Sequence, residues 1–152
     1  MLYIFMGGIL CLLFVYLRRV KPQMPLMRHE NVPYGSLTGR SIGRFFAENK
    51  IPYVLDVRMD DEIRTWGLKH TGSTVIVYIP LKQDREKAFL HDVLADSRMQ
   101  TVLEEKREFL VMCAAGARSA HACILLKELG FNPINLYDGL AQVPQEFVRT
   151  AR

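Results

Sequence analysis

Apolar positions fall along this chain in three patterns, and each predicts a different element. Four short apolar runs read as buried strands: YVLDV at 53–57, VIVYI at 75–79, FLVM at 109–112, and residues 134–137. Between them the apolar residues take helical spacing, with Ile42, Phe45 and Phe46 on one segment and Phe89, Leu90, Val93 and Leu94 on another. From Ser119 onward Ala122, Leu125, Leu126 and Leu129 make one apolar face, and Gly130 is placed to end that helix. Residues 60–66 suggest a brief helix capped by an aspartate, and residues 143–148 a last short one. Apolar strands alternating with helices imply an α/β fold with a mostly parallel sheet flanked by helices. Ligands of such folds bind at the carboxyl ends of the strands. Cys113 stands just past one strand end and just before a helix.

The third pattern is an unbroken run. Residues 1–17 read MLYIFMGGILCLLFVYL without a charge, and Arg18, Arg19 and Lys21 follow at once. A helix rises ~1.5 Å per residue, so this run plus snorkelling basic residues reaches across a ~30 Å hydrocarbon core. Tyr3 and Tyr16 lie near its ends, where aromatic side chains favour the membrane interface. A secretory signal has its positive charge before the apolar run and small residues at a cleavage site after it, the reverse of what is seen. The expected organisation is a transmembrane anchor at 1–19, a proline-bearing tether at 20–35 and one folded domain at 36–152. The basic flank places that domain on the cytoplasmic side of a single-pass span.

Charge sharpens this division. Of the 20 Lys and Arg residues, Arg18, Arg19, Lys21 and Arg28 precede residue 29, leaving sixteen against 16 Asp and Glu. The main body is therefore neutral, without the basic surface that nucleic acid requires. Cys11, Cys113 and Cys123 form no CxxC and no zinc-ligand spacing, so neither a disulfide framework nor a metal site is expected, and no cofactor is implied.

The candidate chemistry lies in the stretch VMCAAGARSAH at 111–121. A thiol acts as thiolate, a form favoured by a helix N-terminus and a nearby arginine. Ala114, Ala115, Gly116 and Ala117 add neither bulk nor charge, so a loop here can turn its backbone N–H groups toward the sulfur. Gly116 permits a positive φ that lets the loop close. Arg118 is suited to binding an oxyanion or bracing the loop, and Ser119 to capping the helix. Cys123, His121 and Trp66 are read more simply, as a packing cysteine, a surface histidine and a packing aromatic.

CAAGARS resembles the CxxGxRS active loop of rhodanese-domain sulfurtransferases. LDVRMDDE at 55–62 resembles that family's LDVRxxxE strand and turn, and Ile79-Pro80 the proline after its next strand. LLKELGF at 125–131 and NLYDGL at 135–140 resemble its later helix and final glycine turn. The resemblance covers about residues 37–147. One segment departs from it, GLKHTGS at 67–73, where the family reads GHIxGA.

The resemblance implies a rhodanese-like domain that transfers sulfur through a persulfide on Cys113. Thiosulfate or a related persulfide would donate, and cyanide or a thiol, including a protein thiol, would accept. Residues 114–119 would form the binding loop. Arg58 would pair with Glu62; Asp56, by its own place at a strand end near the loop, is suited to positioning the site or to a packing or hydrogen-bonding role. Phosphatase and arsenate-reductase relatives of the fold place five residues between Cys and Arg, whereas four separate Cys113 from Arg118, a cradle better sized to sulfur. The alternative is a rhodanese-like module that recruits a partner to the membrane with little turnover.

Overall fold

In a parallel sheet covered on both faces, strands carry apolar side chains on both sides and successive residues point to opposite layers. The central strands do this. A computed structural model describes residues 32–150; residues 1–31, with the anchor and most of the tether, lie outside them. Five strands, β1 (Gly35–Leu37), β2 (Tyr53–Asp56), β4 (Val75–Tyr78), β5 (Glu108–Met112) and β6 (Asn132–Leu136), form one sheet in the order β1-β6-β5-β2-β4. Every pairing in it is parallel, with Leu55 opposite Val77 on one side and Val111 on the other.

Alternation divides the core into two layers. Leu55, Val77 and Val111 face a layer completed by Phe89, Leu90 and Val93 of α3 (Glu86–Ala95), Met99 and Val102 of α4 (Ser97–Glu104), and Ala122, Leu125 and Leu126 of α5 (Ala117–Glu128). Val54, Ile76, Leu110 and Met112 face the other, with Ile42 and Phe45 of α1 (Ile42–Glu48) and Leu140 and Val143 beyond β6. A small antiparallel pair, β3 (Trp66–Leu68) with β7 (Val148–Thr150), contributes Leu68 and Val148 to that second layer.

Several expectations need correction. Gly35, assigned to the tether, opens β1. The helix expected at 143–148 is a 3-10 turn, Gln145–Phe147, running into β7. The brief helix α2 spans Asp60–Thr65 with Met59, not an aspartate, at its N-cap, because the Glu62 carboxylate reaches back to the Met59 N–H (2.9 Å). α4 was not anticipated. Met99, Val102 and Leu103 take helical spacing in its sequence SRMQTVLE, and Asp96 starts it by accepting from the N–H groups of Arg98 (2.9 Å) and Met99 (3.3 Å). Among the described residues no helix is long and apolar enough to cross a membrane.

Candidate active site

β5 is the middle strand of the sheet, and it delivers Cys113 to the carboxyl end between β6 and β2. The strand's last carbonyls are taken by the segments that follow β2 and β6: Val57 N–H donates to Met112 O (3.0 Å) and Leu140 N–H to Cys113 O (3.0 Å). The cysteine is thus held from both sides as the backbone leaves the sheet.

The loop then closes over the sulfur. Gly116 N–H donates to Cys113 Sγ at 3.1 Å and Ser119 N–H at 3.4 Å, while Ser119 Oγ lies 3.4 Å away. Gly116 has φ +91° and is the N-cap of α5, so the helix starts at Ala117, two residues earlier than its apolar face suggested. Ser119 therefore does not cap it. Buried in the first turn, its hydroxyl donates to Gly116 O (3.1 Å) and faces the sulfur. Asn135 of β6 reaches the same carbonyl through Nδ2 (3.5 Å), a brace that its place in NLYDGL did not reveal. Two amides and the amino end of α5 converge on Sγ, an arrangement that stabilises negative charge on sulfur without a cationic side chain. Ala114 and Ala115 form the turn, and Ala141 N–H donates to Ala114 O (3.3 Å).

Arg118 is directed away from the cradle. Its two terminal nitrogens fork onto Glu62 at 2.7 and 3.2 Å, tying the loop to α2. The Arg118 hydrogen bond holds the Glu62 carboxyl below its ordinary value, and the same bond raises Arg118, with smaller contributions from charge on Cys113 and Asp56. Both groups stay ionised at neutral pH, so the brace is intact there.

The expected Arg58–Glu62 pairing is replaced by a different one. Arg58, 0% exposed, binds Asp56, 1% exposed, through Nε to Oδ1 (2.9 Å) and a terminal nitrogen to Oδ2 (2.7 Å). Its other terminal nitrogen donates to the Trp66 carbonyl (3.0 Å) and its guanidinium lies 5.6 Å from the Trp66 ring centroid. Glu62 contributes only its backbone carbonyl to Arg58, at 3.5 Å. The resemblance implied the Arg58–Glu62 pair; Arg58, however, precedes α2 and turns to Asp56, leaving the Glu62 side chain to Arg118.

Two further readings are sharpened. Cys123 is fully buried, and burial raises its thiol well above the ordinary range, so it remains protonated while packing within the α5 layer. His121 is not a surface histidine: its side chain is 12% exposed, Nδ1 is buried without a partner, and Nε2 lies 3.9 Å from Glu86 Oε1. Burial holds its pKa below the ordinary value. His121 and Arg118, three apart on α5, line one cavity of ≈ 440 Å³ together with Met59, Leu81, Lys82, Asp84 and Glu86. Among the described residues no group of three His, Cys, Asp or Glu side chains is placed to hold a metal ion.

A single thiol thus stands at the carboxyl end of a central parallel strand, cradled by the turn into the next helix, in an α/β fold. No family model and no curated protein matches the chain. Its fold is shared by solved structures that include a rhodanese-like domain protein. A rhodanese-like domain protein from Staphylococcus aureus superposes with a TM-score of 0.57 at 19% identity, over 76% of this chain and 97% of that one. A protein from Staphylococcus saprophyticus subsp. saprophyticus does so with a TM-score of 0.53 at 17% identity, over 76% and 98%.

Proposed function

We propose that the domain is a sulfurtransferase that carries sulfur as a persulfide on Cys113. The observation that carries this reading is the cradle itself, with Gly116 N–H, Ser119 N–H and Ser119 Oγ at 3.1 to 3.4 Å from Sγ. The Cys113 thiolate attacks the outer sulfur of thiosulfate or a related persulfide; the bond to the sulfite or thiol sulfur breaks, and that group leaves with the electron pair. The amides that held charge on Sγ then stabilise the persulfide, and hold the thiolate again when an acceptor removes the sulfur. No cation enters the cradle, because Arg118 is occupied by Glu62. A tetrahedral phosphate would need such a cation and a wider loop, which disfavours phosphate ester chemistry.

The reading is tested by incubating the protein with thiosulfate and measuring its intact mass. Wild type is expected to gain one sulfur atom that is released by cyanide or thiol, and Cys113→Ser to gain none. A folded wild type that gains no sulfur from thiosulfate or from a low-molecular-weight persulfide would instead favour the partner-recruiting module, which uses the same fold without turnover.

The proposed setting is the cytoplasmic face of a membrane, supported by the uncharged run at 1–17 and its basic flank. The full-length chain is expected to stay with membranes through alkaline carbonate washing, and the chain beginning at residue 32 to be released. Release of both would remove the anchor from the proposal.

A further inference from the structure

The Gly116 carbonyl, in the turn that closes on the sulfur, has more donors around it than it can serve. A carbonyl oxygen offers two lone pairs, and three donors reach this one: Ala120 N–H at 3.0 Å, the Ser119 hydroxyl at 3.1 Å and Asn135 Nδ2 at 3.5 Å. Of the three, the Ser119 hydroxyl has a second acceptor beside it, Cys113 Sγ at 3.4 Å. Asn135 makes the longest of these contacts. It stands on β6 in register with Val111 of β5 and is 2% exposed. Its Oδ1 is buried without a partner, and turning the amide over would set that oxygen against the Gly116 carbonyl. Folding stability does not account for such a side chain, because an unpaired buried acceptor is destabilising and the carbonyl is already satisfied by its other two donors. An apolar residue of the same shape would fill the layer without that penalty.

Resting on the sulfurtransferase reading, we propose that Asn135 is a positioning residue that frees the Ser119 hydroxyl for the sulfur. While Cys113 is a thiol, the hydroxyl donates to Gly116 O and the Asn135 amide is held off at 3.5 Å. When the thiol proton leaves to solvent, the charged sulfur becomes the stronger acceptor, and the hydroxyl turns to it. The Asn135 amide then closes on the vacated lone pair, so neither the carbonyl nor the thiolate is left without its donors. The thiolate attacks the outer sulfur of thiosulfate, the bond to the sulfite sulfur breaks, and sulfite leaves with the electron pair. Sγ is then uncharged, and the hydroxyl returns to the carbonyl. Discharge repeats the exchange, because Sγ receives the electron pair when an acceptor thiolate takes the outer sulfur.

The test measures three properties of the full-length chain: alkylation of the Cys113 peptide by iodoacetamide across pH, sulfur loading from thiosulfate, and Tm. Asn135→Leu is expected to slow both reactions about 3- to 10-fold at neutral pH, to displace the alkylation profile to higher pH and to keep Tm within about 3 °C of wild type, whereas Ser119→Ala slows them about 10-fold or more. The double variant is expected to be no slower than Ser119→Ala, since the amide acts only through that hydroxyl. Asn135→Ala, which removes the amide and leaves the layer underfilled, covers the case of a leucine that does not pack. Val102→Ala of α4, in the same layer, is expected to lower Tm without displacing the profile. An unmoved profile in both Asn135 variants, losses that multiply in the double variant, or an equal displacement in Val102→Ala would each overturn the exchange while leaving sulfur transfer intact. Variants that alkylate in the expected order, on a chain that never gains sulfur from thiosulfate or from a polysulfide, would overturn the sulfurtransferase reading and leave the hydroxyl exchange standing.

Discussion

Gly116→Ala is expected to cost about 3–4 kcal/mol of folding stability and to dismantle the sulfur cradle, whereas Gly130→Ala costs about 1 kcal/mol and leaves the cradle intact. The two glycines have nearly the same φ, +91° and +90°, so the strain of a positive φ alone predicts equal effects. Their surroundings differ. A Cβ on Gly130 meets nothing within 4 Å, but a Cβ on Gly116 falls on the Tyr137 carbonyl, a backbone group that cannot swing aside as a side chain can. Relief requires moving either the end of β6 or the loop, and the loop holds both the Gly116 N–H on Sγ and the Gly116 carbonyl that Ser119 and Asn135 bind. Urea unfolding of the two variants, with the rate of persulfide formation, checks this. Equal destabilisation would show that the contact with Tyr137 relaxes freely.

Asp56→Ala is expected to be still more damaging, at about 3–5 kcal/mol and a fall in Tm of about 10–20 °C. It leaves the Arg58 guanidinium fully buried with only the Trp66 carbonyl, the distant Glu62 carbonyl and an aromatic face to meet it. The double change Asp56→Leu with Arg58→Met removes both charges, and it is expected to be milder than Asp56→Ala alone. It does not restore full stability, because the Trp66 carbonyl then loses its donor, at a cost of about 1 kcal/mol. A double variant as unstable as the two single losses combined would mean that the two residues are not coupled, and would overturn the argument from the buried pair.

How much of this was legible beforehand depends on the range of each interaction. YVLD, VIVY and EFLVM declared themselves as strands because burial on both faces makes a short strand apolar throughout. Three-residue strands such as β1, β3 and β7 are too short to show a period, and their partners, β6 for β1 and each other for β3 and β7, lie far along the chain. The positive φ of Gly116 and the placing of Cys113 follow from a small-residue turn between strand and helix. The partner of Arg118 did not follow, because Glu62 stands 56 residues away on another element. The resemblance implied Arg58 with Glu62, whereas the fold pairs Arg58 with Asp56 and Arg118 with Glu62. His121 was misjudged for a related reason: part of its cover comes from another element, with Glu86 of α3 at 3.9 Å.

By itself the sequence determined an α/β sheet, the strand-to-helix turn that carries Cys113 and the neutrality of the four residues before Arg118, because these depend on apolar periodicity and backbone chemistry within a few residues. Tertiary structure alone decided the exchange of partners among Asp56, Arg58, Glu62 and Arg118, the burial of His121 and the mixed charge of the cavity beside the loop. Those properties depend on which segments the parallel crossovers bring to one end of the sheet, and on how deeply each charge is then withdrawn from water.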